Sequence, residues 1–423
     1  MTPPVGPNWA KTYEFGAARL HTPRSLDEVR SIVAAATRVR ALGTRHSFND
    51  LADSSGDLIS LVDLPPDIVI DEDARTVTVA AGTRYGSLAD RLQQQGWALH
   101  NMGSLPHISV AGAISTATHG SGIRHGNLAT AVSGLEFVSG RGELVRADRS
   151  TPAFAGMVVA LGALGVTTRV TLDIQPTFDV RQDVYVDLPW HALLADFDSI
   201  MGSAYSVSVF TNWLGENAQQ LWLKTRIDPA APPVQLPATL FGATATTATL
   251  LSPTGEGNDN TTAQGGVAGP WSERLPHFRF NAVPSNGDEI QSEFFVDRAN
   301  AAAALSVVRS LGERIAPILL ITELRTIAAD ELWLSMAYGR DSLAIHFTWK
   351  NEPAAVAALL PDLEAALAPF GARPHWGKAY AATAPAIAPL YERLPEFAAL
   401  TEVFDPDHQF GNAYLERTLG LPV

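Results

Sequence analysis

The segment that most restricts how this chain can fold is residues 101–122 (NMGSLPHISVAGAISTATHGSG), where small residues crowd at Gly103, Ser104, Ser109, Gly112, Ala113, Ser115, Thr116, Ala117 and Gly120. Backbone with so little side chain can lie close to a flat partner, and both a planar ligand and a packed helix would fit it. Alone, the segment leaves those two readings level. A second small-residue loop precedes it: RALGTRHSFND, residues 40–50, follows a short strand signal at Val39, Ala41 and Leu42. Gly43 lets the chain turn there, and its polar neighbours offer N–H groups to a pyrophosphate. In isolation a strand-terminating turn is the simpler reading.

Around these loops helices mix with short strands. Ser25 and Glu28 form a capping-box pattern ahead of a helix predicted over 25–40, with Leu26, Val29, Ile32, Val33 and Ala36 on one face. Strands are expected over 58–62, 68–70 and 76–80, then a helix over 86–95 stopped by Gly96. LEFVSG…GELVRA reads as a hairpin and VTTRVTLDI as a further strand, flanking a helix over 154–161. Residues 229–237 are rich in Pro and 244–269 in Thr, Gly, Asn and Ala, the composition of a long, mobile surface excursion. Order returns with QSEFFVD, ILLITELRT and SLAIHFTWK as strands and with helices over 300–315 and 353–367. The expected division is a first domain over 1–175, a second over 176–375, and a segment over 376–423 that returns to the first.

Side chains two apart on a strand share a face, so Glu323 and Arg325 point together while Leu324 points away. His346 and Thr348 do the same against Phe347 and Trp349. Two readings fit these polar pairs. One is a cross-strand salt bridge on a solvated face; the other is a buried set completed by a polyol, with Glu323 accepting from one hydroxyl and Arg325 donating to others.

Composition narrows the chemistry. Cysteine is absent, which removes disulfides, thiolate catalysis and zinc–thiolate sites, so redox chemistry would need a cofactor. A net charge of −14 with no basic cluster argues against nucleic acid as a partner. With 46% hydrophobic and 17% charged residues there is material for two large cores. No run approaches the roughly 20 apolar residues of a bilayer span, and the opening MTPPVGPNWAKTYEF lacks the marks of a secretory signal. The expectation is a cytoplasmic protein with no membrane association and no obligate protein partner. GSGIRHGN has the wrong spacing and setting for a nicotinamide-dinucleotide fingerprint, and the zinc-protease helix and G-x-S-x-G signatures are missing.

Taken in order, the loop at 40–50, the segment at 101–122 and the late DPDHQFGNAY resemble the vanillyl-alcohol oxidase type of FAD-binding fold. Within it, the chain resembles the FAD-dependent alditol oxidases, which act on xylitol, sorbitol and glycerol. ELRT, AIHFTW and RPHWGK extend the resemblance over nearly the whole chain. The implied fold class is α+β: a PCMH-type FAD-binding domain plus a substrate domain whose mainly antiparallel sheet is covered by helices. In that family the His before Ser-Phe is bonded to the flavin 8α-methyl carbon, which falls on His46. The resemblance further implies FAD contacts along Ala41, Leu42, Gly43, Thr44, Arg45, His46 and Ser47, then at Ser104, Ser109, Gly112, Thr116, Ala117, Thr118, His119 and Val166, with His375 nearby.

Two residues depart from the family pattern: Arg45 and Ala117 stand where relatives carry Gly. Arg45 is expected either to meet the phosphates or to point to solvent. The resemblance also implies Glu323, Arg325 and Thr348 on substrate hydroxyls, Ser104 beside the reacting carbon, and Lys378 near the reacting end. His346 is the expected base or hydroxyl-orienting group, and Lys378 the expected stabiliser of developing negative charge. Gly103 leaves room for oxygen at the reduced ring, which favours an oxidase that forms hydrogen peroxide, although relaxing a turn would also explain it. The rivals are an aldonolactone oxidoreductase of the same fold and a noncatalytic carbohydrate- or flavin-binding protein.

Overall fold

The computed structural model describes residues 5–230, 235–248, 250–254, 259–282 and 288–423. Near the N-terminus, Ser25 caps a helix over Leu26–Ala35 by accepting from the Glu28 N–H, while the Glu28 carboxylate accepts from the Arg24 N–H at 2.7 Å. The helix stops short of residue 40 because Val39–Ala41 is taken by a parallel sheet with Asp57–Ile59 and Arg19–His21. Leu61–Asp63 forms a short turn of helix instead of continuing the strand expected over 58–62.

Five strands build an antiparallel sheet in the order Ile68–Asp71, Thr76–Ala80, Val166–Asp173, Val132–Val138, Leu144–Asp148. Burial alternates along Val166–Asp173, so Val166, Thr168, Val170 and Leu172 face inward, as a half-buried strand requires. The helix over Tyr85–Gln94 ends before Gly96, whose φ of +78° only glycine adopts freely. The helix expected over 154–161 is only Phe154–Val158.

The second sheet contains ten strands among the described residues. Its central order is Asp179–Pro189, Asn217–Arg226, Ser206–Thr211, Leu319–Ile327, Ser342–Lys350, Glu289–Asp297, with antiparallel neighbours throughout. Leu343, Ile345, Phe347 and Trp349 point to one face and pack with Leu324 and Leu363, while His346 and Thr348 point to the other. The helix over Pro353–Leu367 buries Val356, Leu359, Leu360, Leu363 and Leu367 in that core. Counted to Phe370, it has 18 residues at mean hydropathy 1.3 and is long and apolar enough to cross a membrane. That departs from the sequence expectation, since alanines on the outer face raise its hydropathy while the leucine stripe serves the core.

The excursion after residue 229 is also more ordered than its composition suggests. Thr239–Leu240 and Ala243–Ala245 form a hairpin on Asp179–Pro189, and Gly269–Pro270 pairs with the start of that same strand. An edge strand with unpaired backbone groups is a ready template, and this segment covers it. Buried Gln220 further donates to the Ser252 and Pro253 carbonyls. Residues 231–234, 249 and 255–258 of that expected excursion lie outside the described residues.

The tail packs on the first sheet's side. Phe397, Tyr414 and Leu415 share a core with Val77, Leu88, Leu135 and Val170. The latch is Asn412, whose side-chain N–H groups donate to the carbonyls of Asp50, Leu51 and Asp53 at 2.9–3.1 Å while its oxygen caps the final helix at Leu415. Replacing Asn412 with Ala removes a helix cap and leaves buried carbonyls unsatisfied, so we expect a loss of about 1–3 kcal/mol, read as a lowered melting temperature. An unchanged melting curve would show that the latch is dispensable.

Candidate active site

A cavity of about 1020 Å³ lies between the small-residue loops and the polar face of the large sheet, at the upper end of the range for small-molecule sites. Ala41, Leu42, Gly43, Thr44, Arg45, His46 and Ser47 line it from the first loop, and Ser104, Ser109, Gly112, Thr116, Thr118 and His119 from the second. Glu323, Arg325, His346, Thr348, His375 and Lys378 line it from the opposite side. Ala117 and Val166 are not brought to the wall: both are buried in apolar cores, and Gly165 and Thr167 reach the cavity instead. Arg84, His107, His277, Gln291 and Glu293 line the cavity without having been singled out from the sequence.

The two loops cross at close quarters. A Cβ on Gly43 would sit 2.9 Å from the Ser109 hydroxyl, and one on Gly112 would sit 2.8 Å from it. The Ser109 hydroxyl fills the space where either side chain would begin, and the Ser109 N–H donates to the Thr44 hydroxyl across the gap.

His46 stacks on Trp9, with ring centroids 5.2 Å apart and planes 20° from parallel. Both its ring nitrogens are shielded from water and neither makes a hydrogen bond of good geometry, although the Thr44 backbone is near enough to favour the protonated form. Burial outweighs that and pushes its pKa down to about 4. The imidazole is therefore neutral at physiological pH, the state in which a ring nitrogen is nucleophilic.

Arg45 and Ala117, the two departures from the family pattern, both occupy left-handed backbone, with φ of +63° and +51°. Glycine suits such positions, and an L-residue there is strained by roughly 1–2 kcal/mol. Arg45 lines the cavity and does not simply point to solvent. Its guanidinium donates to the Val5 carbonyl at 2.7 Å and lies 5.9 Å from the Phe15 ring. The Trp9 N–H donates to the Arg45 carbonyl and the Asn8 side chain to the Ser47 carbonyl, so an N-terminal clasp is held over the His46 loop.

This half of the cavity suits the FAD implied by the resemblance. Among the described residues up to Thr167 its wall contains Arg40, Arg45 and Arg84 and no carboxylate, which matches an anionic dinucleotide. Arg40 is buried with only carbonyls as partners, those of Leu51, Leu161, Gly162 and Phe410. The orphaned imidazole of His46 faces the same space.

The first loop is stitched to the segment that carries Lys378. The Phe48 N–H donates to the Gly377 carbonyl, and the Asn49 side chain donates to the carbonyls of Trp376 and Lys378, each at 2.8 Å. His375 accepts the Gly377 N–H on Nδ1.

On the sheet, Glu323, His346 and Glu293 stand directly opposite one another on three adjacent strands. Glu293 is the centre of the cluster. Its Oε1 lies 2.7 Å from the Arg325 guanidinium and 3.1 Å from His119 Nε2, and its Oε2 lies 3.3 Å from His346 Nδ1. Arg325 therefore pairs chiefly with Glu293, since its Nε stands 3.7 Å from Glu323 and makes no hydrogen bond. The solvated salt bridge that the strands alone would allow is ruled out: Glu323 and Arg325 are each 6% exposed. Burial works against ionising Glu293, but Arg325, His119 and His346 hold its carboxyl well below the usual range.

His346 is lowered to about 4 by burial and by Lys378, and is neutral at physiological pH. Its Nε2 lies 3.2 Å from the Thr348 hydroxyl. Lys378 bonds the Gln291 side chain and is lowered to about 8, first by burial, against the pull of Glu293. Among the described residues His119, Glu293 and His375 also converge as three buried potential metal ligands. Arg325 already supplies the countercharge that a cation would bring to that carboxylate.

A family model described as FAD binding domain matches residues 17–148, and one described as D-arabinono-1,4-lactone oxidase matches residues 284–418. The chain is 43% identical over 418 residues to an alditol oxidase from Streptomyces sp. (strain IKD472 / FERM P-14339), covering 97% of this chain and 98% of that one. It is 28% identical over 446 residues to an L-gulono-1,4-lactone dehydrogenase from Mycobacterium tuberculosis, covering 99% of each. In fold it is similar to the crystal structure of cholesterol oxidase from B. sterolicum, with a TM-score of 0.79 at 16% identity, covering 100% of this chain and 99% of that chain.

Substituting Arg45 with Gly relaxes the left-handed backbone but removes the bond to Val5. We expect stability to change by no more than about 1 kcal/mol while amide exchange over residues 5–15 accelerates. Unchanged protection of those amides would show that Arg45 does not hold the clasp.

Proposed function

Because the chain belongs to the alditol oxidase family of FAD-dependent oxidoreductases, we propose that it oxidises a terminal primary hydroxyl of an alditol such as xylitol, sorbitol or glycerol to the aldose. In this reading FAD is bonded covalently through His46 and O2 is reduced to H2O2. The observation that carries it is a single cavity with a carboxylate-free, glycine-lined half carrying the unpartnered His46 and an opposite half bearing Glu323, Arg325, His346 and Lys378. We assign FAD binding to residues 1–175, substrate binding to 176–375, and the return to the first domain to 376–423. The reaction is placed in the cytoplasm and needs no partner beyond the polyol and O2.

When bound, the flavin supplies a two-electron acceptor for the hydride that leaves the carbinol carbon. The hydroxyl is a weak acid, so its proton must be taken as the C–H bond breaks. Glu293 Oε2 lies nearer His346 Nδ1 than Lys378 Nζ does, at 3.3 against 3.5 Å, so with Nδ1–H directed at Glu293, His346 keeps its Nε2 lone pair on the Thr348 side and serves as the proton acceptor. Lys378 stabilises the negative charge that develops on the substrate oxygen. Arg325 Nε is a buried donor without a partner, which a hydroxyl would satisfy, while Glu323 accepts from another hydroxyl. Ser104 binds beside the reacting carbon. A Cβ on Gly103 would meet nothing closer than 3.7 Å, which supports the view that its bareness serves access for O2 and not packing.

An aldonolactone oxidoreductase is the second reading, favoured by the match of residues 284–418 to the lactone oxidase model. Flavin reduction by xylitol but not by a lactone separates the two.

Acid precipitation of the purified protein should give a yellow pellet, and His46→Ala a colourless one; a colourless wild-type pellet would exclude the covalent link. The rate of flavin reduction should rise as pH increases through about 4, where His346 loses its proton, and fall above about 8, where Lys378 does. His346→Ala should lower that rate by about 100-fold or more, and Lys378→Met should abolish the alkaline fall. A wild-type rate that climbs through about 8 would assign the proton to Lys378 instead.

A further inference from the structure

Behind Glu323, on the side away from Arg325, lies a buried pair that the mechanism above does not use. Lys224, on Asn217–Arg226, is 1% exposed, and His277 precedes Phe278 in the segment that returns across the cavity. Lys224 Nζ meets three acceptors: the carbonyls of Leu275 and Pro276 and, at 2.9 Å, His277 Nδ1. A lysine ammonium has three donors and no acceptor capacity. Only the charged form can serve all three, so this geometry favours the state that burial opposes, and no carboxylate among the described residues pairs with Lys224 directly.

The consequence runs through the imidazole. Nδ1 must accept from Lys224, so the ring proton of neutral His277 sits on Nε2, which lies 2.7 Å from Glu323 Oε1 and donates to it. Burial pushes His277 down to about 4, in keeping with a neutral ring. Trp222 and Phe210 meet the ring edge to face at 5.1 and 5.9 Å, which fixes its rotation. Its backbone N–H donates to the Ser104 carbonyl at 3.1 Å, tying the whole arrangement to the small-residue loop.

We propose that Lys224 and His277 form a one-way hydrogen-bond relay that positions Glu323. Lys224 fixes the His277 tautomer, His277 occupies Glu323 Oε1, and Oε2 is left ionised and aimed into the cavity to accept a substrate hydroxyl. His277 is thus a positioning residue for substrate binding, and the proposal rests on the reading that Glu323 takes a hydroxyl of an alditol.

Glutamine offers an acceptor oxygen and a donor amide that can replace those of this tautomer, whereas phenylalanine keeps an aromatic ring and offers neither. With xylitol at mildly acidic pH, His277→Phe and Lys224→Met should raise KM by about tenfold or more, with kcat within about twofold and flavin content unchanged; His277→Gln should stay within about threefold of wild type in both. A wild-type KM in His277→Phe overturns the relay, as does a His277→Gln enzyme as impaired as His277→Phe. Nitrogen NMR of His277 in the wild-type holoenzyme supplies a test free of folding effects: the relay requires a protonated Nε2 and a bare Nδ1, and any other state refutes it. Failure of xylitol to reduce the wild-type flavin would refute the proposed substrate, and the NMR result would still decide the relay.

Discussion

The structure of the cavity depends on one buried carboxylate. Glu293 is 1% exposed, and an ion so placed survives only if its charge is met by well-placed partners. His346 meets it from the adjacent strand, Arg325 from the next strand beyond and His119 from the small-residue loop. The cross-strand row of Glu323, His346 and Glu293 fixes the register of the sheet. A slip by one residue would turn all three into the apolar layer occupied by Leu324, Ile345 and Phe294.

The rest of the site is held by backbone stitches between segments far apart in the chain. Residues 48 and 49 bond to 376–378, the Ser104 carbonyl receives the His277 N–H, and Asn412 gathers the carbonyls of 50–53. The late DPDHQFGNAY run is of this kind: Asp405 accepts from the Gln409 and Phe410 N–H groups, and the Phe410 carbonyl receives Arg40. Its part in the site is to brace the first loop.

What could be read from the chain follows the range of the forces involved. The strand over Ser342–Lys350 and the helix over Pro353–Leu367 announce themselves because alternation and a leucine stripe are local patterns. The two glycine loops are legible as loops, but only their crossing shows that Gly43 confronts the Ser109 hydroxyl of the second loop. Glu293 escaped notice because the paired phenylalanines of EIQSEFFVD interrupt the alternation that marks Glu289, Gln291 and Glu293 as one face. Lys224 and His277 carry no local signal at all; their meaning comes from two segments 53 residues apart that close on each other. The helix over Leu26–Ala35 and the excursion after residue 229 were misjudged for a related reason, since strand pairing with distant partners overrode local periodicity and composition.

Acidic and basic side chains alternate around the sheet side, with the acidic ones in excess. Asp288, Glu289, Glu293 and Glu323 line it with Arg325 and Lys378, Lys224 lies behind Glu323 beyond His277, and His277 and His346 are neutral. Such a wall is rich in hydrogen-bonding capacity and carries more carboxylates than cations. On the proposed reading such a wall suits a ligand with many dipoles and no charge, and a sugar acid entering the same desolvated space would meet carboxylates in excess.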